Sequence, residues 1–382
     1  MLCLFSLSTA ISVRGWLLLI VKIHSCVVKV FCIGLADITC ILLYIFFIIR
    51  YISTVMGMKA RLKPRRLRQG SRVYLVAPSS FPVYPSMNLS YGIEILRKYG
   101  FNIVLGESVR YALRRWYLSA PDDIRARDIV EGFRRDDIDA IWCVRGGAGG
   151  LRLLDMLDYD VIKSNPKPLI GFSDITALQN ALYSRVGLVS LHGEMIATTP
   201  KVGDELGLKR FQKNLELAIK ILMGEEIEMR PPEDGPFPKT INPGRAGGEV
   251  VGGNLILFTL LQGTGYGVDT GGKIVFLEDI REEAWRIDNF LTALALGGHL
   301  QKASGILLGE FPEPEVRAPT PSLEEVIAER LRRYVSTPSF MNFPCCHGGD
   351  EHGHYVYPLP IGGRITIDAD NGLIYMNESA VE

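Results

Sequence analysis

The chain reads as an α/β protein built on a doubly wound, mostly parallel sheet. Three observations predict this. Short apolar runs recur along the body, amphipathic stretches of helical spacing separate them, and Gly or Pro marks many of the joins. At 382 residues there is room for two domains and a sizeable core. A Pro/Gly-rich stretch, Pro231–Gly247, is the candidate linker. It predicts an N-terminal domain over residues 63–204, a helix and linker over 205–247, and a C-terminal domain over 248–382.

The elements follow in order. Val73–Ala77 is an apolar strand closed by Pro78-Ser79-Ser80, a turn sequence. Tyr91–Tyr99 has helical spacing, and Gly100 stands where a C-cap would. A strand at Asn102–Leu105, a helix near Pro121–Phe133 and a strand at Ala140–Val144 come next. A helix is expected at Leu151–Leu157, a strand at Pro168–Phe172, a helix at Ile175–Tyr183 and a strand at Leu188–Leu191. The helix Glu205–Met223 then leads to the linker. Beyond Gly252-Gly253-Asn254 come a helix at Leu255–Leu261 and a strand at Lys273–Leu277. A helix near Ala284–Leu296, a strand at Gly305–Leu308 and a helix at Ser322–Tyr334 complete the series.

Charge is balanced, with 42 basic and 42 acidic side chains, so no global field favours nucleic acid as a partner. The first 57 residues differ from the body. They are apolar, and Asp37 is their only carboxylate. Residues 30–49 (VFCIGLADITCILLYIFFII) are long enough to cross a bilayer, although Asp37 inside the run would cost about 2.5–3.5 kcal/mol. Arg50, Lys59, Arg61, Lys63, Arg65, Arg66 and Arg68 flank it, which would keep a tethered domain in the cytoplasm. The competing reading is an over-extended reading frame, with the body starting near Met56 or Met58. Cysteine usage agrees with a cytoplasmic setting. The body keeps only Cys143, Cys345 and Cys346, which is no disulfide framework.

The sharpest local signal is Pro168-Leu-Ile-Gly-Phe-Ser173-Asp174-Ile-Thr176. A strand running into a serine, with a helix starting at once, lifts the hydroxyl onto a tight turn beside helix N-terminal amides. Such amides stabilise the oxyanion of a tetrahedral intermediate. The same residues also suit a plain helix cap, and Ile175 replaces the second glycine of a Gly-x-Ser-x-Gly elbow. Arg145-Gly-Gly-Ala-Gly-Gly150 follows a strand but fits neither a dinucleotide fingerprint nor a phosphate loop. It is either a tight turn or a bare backbone that approaches substrate closely.

A serine nucleophile needs a base and an orienting acid. Glu278 ends the apolar strand Ile274–Leu277, at the strand end where parallel-sheet sites collect. It also suits a helix cap or an ion pair. His192, His299, His347, His352 and His354 are the histidines of the body. Cys345, Cys346, His347, His352 and His354 invite a zinc reading, but adjacent cysteines serve one tetrahedral site poorly, so no metal is expected.

Taken together, the ordered motifs resemble the LD-carboxypeptidases (muramoyltetrapeptide carboxypeptidases), a family that includes the microcin C immunity enzymes. They are Arg145-Gly-Gly, Leu157-Asp158-Tyr159-Asp160, Lys167–Leu178, His192-Gly193, Gly252-Gly253-Asn254-Leu255, Leu277-Glu278-Asp279-Ile280, Arg286 and Leu359-Pro360-Ile361-Gly362. The resemblance runs from about Lys63 to the C-terminus. It implies a Ser-Glu-His triad of Ser173, Glu278 and a histidine. Counting forward from Pro338 through Asn342-Phe343-Pro344 gives His347, the favoured position. Counting back from Pro360 gives His352, and His354 is the third choice.

The same resemblance implies that the amides of Gly147 and Asp174 receive the oxyanion and that no cofactor is needed. It further implies a smaller β-rich C-terminal domain, a homodimer and a small peptide substrate. The bond cut in the family joins an L-centre to a C-terminal D-amino acid in murein-type peptides, or an amide to a nucleotide-like group. Ala148 stands where the family commonly has an aromatic residue, and the histidine loop is five residues longer than usual. Those two departures also admit a catalytically silent peptide-binding module.

Overall fold

The computed structural model describes three strands within residues 1–60 and, in the body, residues 61–81, 89–111, 117–198, 204–312, 321–348 and 353–382. Residues 1–60 and 61–382 are two separate units. In the first, β1 (Ser6–Val13), β2 (Trp16–Ile23) and β3 (Cys26–Ile33) form an antiparallel meander. Of the apolar run 30–49, residues 30–33 end β3 and the rest lies outside the described residues. Among the described residues no helix is long and apolar enough to cross a membrane.

The body is organised by one large mixed sheet. Its first parallel block has the order β5 (Asn102–Leu105), β4 (Arg72–Val76), β6 (Ala140–Cys143), β7 (Leu169–Gly171), β8 (Ser190–His192). All four residues of β6 are buried, because helices cover both faces of the sheet and a doubly covered strand must be apolar throughout. A second parallel block contains β11 (Arg245–Asn254), β12 (Ile274–Glu278), β13 (Gly305–Leu308) and β14 (Ser339–Met341), with β10 (Lys239–Asn242) antiparallel at its edge. The strand β15 (Leu359–Ile361) joins the blocks, antiparallel to β8 and parallel to β11. A side ladder of β16 (Arg364–Asp368), β17 (Leu373–Met376) and β9 (Glu228–Met229) branches from the start of β11. The α/β architecture with a mostly parallel sheet is thus as the sequence predicts.

Two local expectations need correction. The helix expected at Leu151–Leu157 is a short 3₁₀ turn, Gly150–Leu153, and the α-helix begins later, at Tyr159–Ser164. Asp158 starts it, accepting the Val161 amide at 3.0 Å, a capping signal stronger than the leucine spacing upstream. The expected linker Pro231–Gly247 contains β10 and the first residues of β11. Gly244, between the two strands, is required by its backbone: it has φ +113°, and a Cβ on it would stand 3.2 Å from Pro338 Cγ.

Other boundaries follow the sequence closely. The helix Thr176–Val186 ends at Gly187 in the left-handed region. The helix Glu205–Leu222 is capped by Asp204, and Leu323–Tyr334 by a Ser322/Glu325 capping box.

Candidate active site

Ser173 sits where β7 ends. Phe172 is extended, and Ser173 then takes φ +64°, one of three non-glycine residues with positive φ among the described residues. A left-handed serine costs on the order of 1–3 kcal/mol and persists only where its surroundings over-determine it. The turn opens into a 3₁₀ segment, Ser173–Ile175, and the helix Thr176–Val186. Neither the Gly147 nor the Asp174 amide donates to another described residue, so both predicted oxyanion donors are unspent.

The Arg145–Gly150 loop packs on this turn. A Cβ on Gly146 would stand 2.8 Å from Ser173 Cβ, so only glycine admits the serine here. Gly147 has φ +113°, and a Cβ on it would stand 2.2 Å from Ser80 Oγ. Ser80 holds the loop from below: its amide donates to the Gly146 carbonyl (3.1 Å), and its hydroxyl accepts the Ala148 amide (3.3 Å).

Asp174 ties three loops together. Its buried Oδ2 accepts the Ser79 hydroxyl (2.5 Å) and the Gly150 amide (2.7 Å). Burial raises its pKa, and the bonds from Ser79 and Gly150 oppose that only in part. Beneath lies Arg125, fully buried, donating to the carbonyls of Ala120 (3.0 Å), Gly149 (3.1 Å) and Pro78, and paired with Asp122.

The helix behind Ser173 is fastened to the second block. Asn180 donates to the Gly252 carbonyl (2.8 Å) and accepts the Gly252 amide (3.0 Å). The Thr176 hydroxyl accepts the Asn254 amide (2.9 Å), and Asn254 lies opposite Glu278 in the β11–β12 ladder. These bonds fix the helix behind Ser173 against the strand end that carries Glu278.

Glu278 is fully buried, and its Oε2 accepts from His347 Nδ1 at 2.6 Å. A carboxylate only accepts, so Nδ1 carries the proton and Nε2 is left to act. Burial works to raise Glu278 and to lower His347. The mutual attraction and hydrogen bond win in both, leaving Glu278 below and His347 above its ordinary range. The His347 ring lies 4.8 Å from that of Phe172, the residue before Ser173, and its side chain is 14% exposed.

Of the other histidines considered for the base, His354 contacts Phe172 edge-on at 6.0 Å and burial pushes it down to about 4. His352 lies outside the described residues. His192 is fully buried and donates from Nε2 to the Cys345 carbonyl (2.8 Å). Burial pushes it down to about 4, which suits a neutral donor. Among the described residues no three His, Cys, Asp or Glu side chains converge as metal ligands.

The sequence reading missed Phe172, Asn180, Ser80 and Arg125. Each makes a contact with a segment distant in sequence, Phe172 with His347, Asn180 with Gly252, Ser80 with Gly146 and Ala148, and Arg125 with Pro78 and Gly149, which no local pattern signals.

The arrangement has the parts that acyl transfer needs: a strained serine, unspent amides beside it, and a buried carboxylate–imidazole pair in contact with the ring of the residue before that serine. Comparison with known proteins places the chain. The pattern of the LD-carboxypeptidase N-terminal domain matches residues 73–193, and that of the C-terminal domain matches residues 247–367. The chain therefore belongs to the LD-carboxypeptidase family. It is 36% identical over 308 residues to a probable murein peptide carboxypeptidase of Bacillus subtilis, covering 80% of this chain and 91% of that one.

Among solved structures it resembles the microcin C7 self-immunity protein MccF in complex with glutamyl sulfamoyl guanosine. The TM-score is 0.74 at 26% identity, over 84% of this chain and all of the other. A muramoyltetrapeptide carboxypeptidase from Oxalobacter formigenes gives 0.66 at 25%, over 80% and 97%.

Proposed function

We propose that the protein is a serine carboxypeptidase that cuts the bond between an L-centre and a C-terminal D-amino acid in murein-type peptides. The observation that carries this reading is the buried Glu278–His347 pair, whose imidazole rests on Phe172 beside the left-handed Ser173. His347 Nε2 takes the Ser173 proton as Oγ attacks the scissile carbonyl carbon. Glu278 holds the imidazole and supports its positive charge. The Gly147 and Asp174 amides receive the oxyanion. As the tetrahedral intermediate collapses, His347 protonates the leaving amine. A water, deprotonated in turn by His347, then releases the acyl group.

The likeness to MccF, solved with a glutamyl sulfamoyl nucleoside, supports a second reading: hydrolysis of an acyl–nucleotide amide by the same residues. Incubation with a tetrapeptide ending in D-Ala, with its all-L counterpart and with an aminoacyl sulfamoyl nucleoside separates the two. Release of D-Ala by the wild type and not by Ser173→Ala supports the first reading. Hydrolysis of the nucleoside alone supports the second. If nothing is cleaved and a serine-reactive phosphonate leaves Ser173 unmodified, the protein is a binding module.

The same reading takes the enzyme as a cytoplasmic homodimer. Three free cysteines among the described residues suit a reducing compartment, and exposed Leu260, Trp285 and Leu296 on two neighbouring helices suit a subunit contact. A monomeric mass in solution would remove the dimer.

A further inference from the structure

The helix Glu205–Leu222 lies between the two segments that match the family, and the reaction above gives it no part. Two of its buried side chains nevertheless grip the loop that carries His347. Arg210 donates from Nη1 to the Gly353 carbonyl at 3.1 Å. One turn on and on the same face, Asn214 donates from Nδ2 to the His354 carbonyl at 3.2 Å. The guanidinium of Arg210 also lies 5.2 Å over the Tyr355 ring, and Asp234 accepts from both Arg210 (3.3 Å) and the Tyr355 hydroxyl (2.8 Å).

This arm of the loop pairs with the other. The Cys346 amide donates to the Tyr355 carbonyl (3.2 Å), and the Tyr357 amide donates to the Pro344 carbonyl (2.9 Å). His347 stands immediately after that paired base.

Asn214 is itself held by a carboxylate. Glu194 is 1% exposed, and its Oε2 accepts from Asn214 Nδ2 at 2.7 Å. Its Oε1 is occupied by the Met195 amide (3.1 Å) and the Thr198 hydroxyl. One amide NH2 thus serves two acceptors, Glu194 and the His354 carbonyl.

We propose that Glu194, Asn214 and Arg210 are positioning residues for the base: Glu194 sets the orientation of Asn214, and Asn214 with Arg210 sets the loop that presents His347 to Ser173. This rests on the reading of His347 as the base. Hydrogen-bond polarity makes the inference sharp. In Glu194→Gln, Oε1 keeps its bonds to Met195 and Thr198, but the new NH2 faces the NH2 of Asn214. Rotating Asn214 relieves that clash and turns its oxygen onto the His354 carbonyl oxygen. The tether fails either way, at unchanged volume.

The test compares the full-length wild type with Glu194→Gln and Asn214→Ala, using kinetics on the D-Ala tetrapeptide and NMR titration of the His347 imidazole without substrate. Loss of the tether lowers kcat about 10- to 100-fold, the effect of a misplacement near 1 Å, and leaves KM nearly unchanged. In Asn214→Ala, which changes no charge, it also moves the His347 titration down towards the ordinary histidine value, because the ring loosens from Glu278. Glu194→Gln adds the loss of the Glu194 charge, which itself helps raise His347. A merely structural role would lower the melting temperature and leave the His347 titration of Asn214→Ala in place.

An unshifted His347 titration in a folded variant overturns the proposal. Should Glu194→Gln not fold, Asn214→Ala removes the same tether and decides by the same readout. If the wild type cleaves no peptide, the substrate reading fails, and the titration still decides the tether.

Discussion

Ser173 reaches its place through consecutive residues of one strand and turn, Leu169–Ser173. His347 reaches its place through side chains from segments far apart in sequence: Glu278 on β12, His192 on β8, and Arg210 and Asn214 on the helix Glu205–Leu222. The two regions meet at the Phe172 ring. The nucleophile turn is a local structure whose strain is restrained by the loops packed on it. The described residues on either side of the base loop are held by hydrogen bonds from distant side chains to the carbonyls of Cys345, Gly353 and His354. The difference predicts how each fails: changes at the turn alter the chemistry at once, and changes around the loop alter the geometry first.

The largest expected effect is from Ser173→Ala, which removes the proposed nucleophile and should lower kcat by roughly 10⁴- to 10⁶-fold with the fold intact. Single-turnover assay beside circular dichroism reads both. Glu278→Gln comes next, with a loss of about 10²- to 10⁴-fold. It removes the charge that supports the imidazolium and deprives Nδ1–H of its ionic acceptor. Gly147→Ala should cost about 10²- to 10³-fold, the effect of losing one oxyanion donor. Its new Cβ must move against Ser80 in a conformation that suits glycine. A Gly147→Ala enzyme with wild-type kcat would remove that amide from the mechanism.

The pH dependence sharpens the contrast. His347 must be neutral to act as base, and its pKa is raised by Glu278. The rise of kcat/KM with pH should therefore be centred above the ordinary histidine value of about 6.5, and Glu278→Gln should move that limb down. Stability follows from the same shifts with the signs kept apart. Glu278 is lowered, so its share is present above its unfolded pKa and lost as pH falls through the folded one. His347 is raised, so its share is full below its unfolded pKa and lost as pH rises through the folded one. Melting temperature against pH, for the wild type and for Glu278→Gln, should differ most between the lowered carboxylate and raised imidazole values.

The smallest effect falls on the scaffold. Asn180→Ala leaves the buried amide and carbonyl of Gly252 without their partner, at about 1–3 kcal/mol. Denaturant unfolding measures it, and a cost near zero would show that the clamp between the nucleophile's helix and β11 carries no stability.

What the sequence determined by itself was local. Apolar runs and capping residues are read by their own neighbours within a few positions, so the α/β alternation, the strand-to-helix serine turn and the acid ending β12 were all legible. Even there, Asp158 overruled the leucine spacing at 151–157, because one side chain capping a helix outweighs a weak period. Only the tertiary structure decided the remainder. It paired His347 with Glu278, set the Phe172 ring against His347, and brought a helix outside both family segments onto the loop that follows His347. The physical reason is that a hydrogen bond across a fold depends on where two distant backbones meet, and no spacing along one chain records that distance.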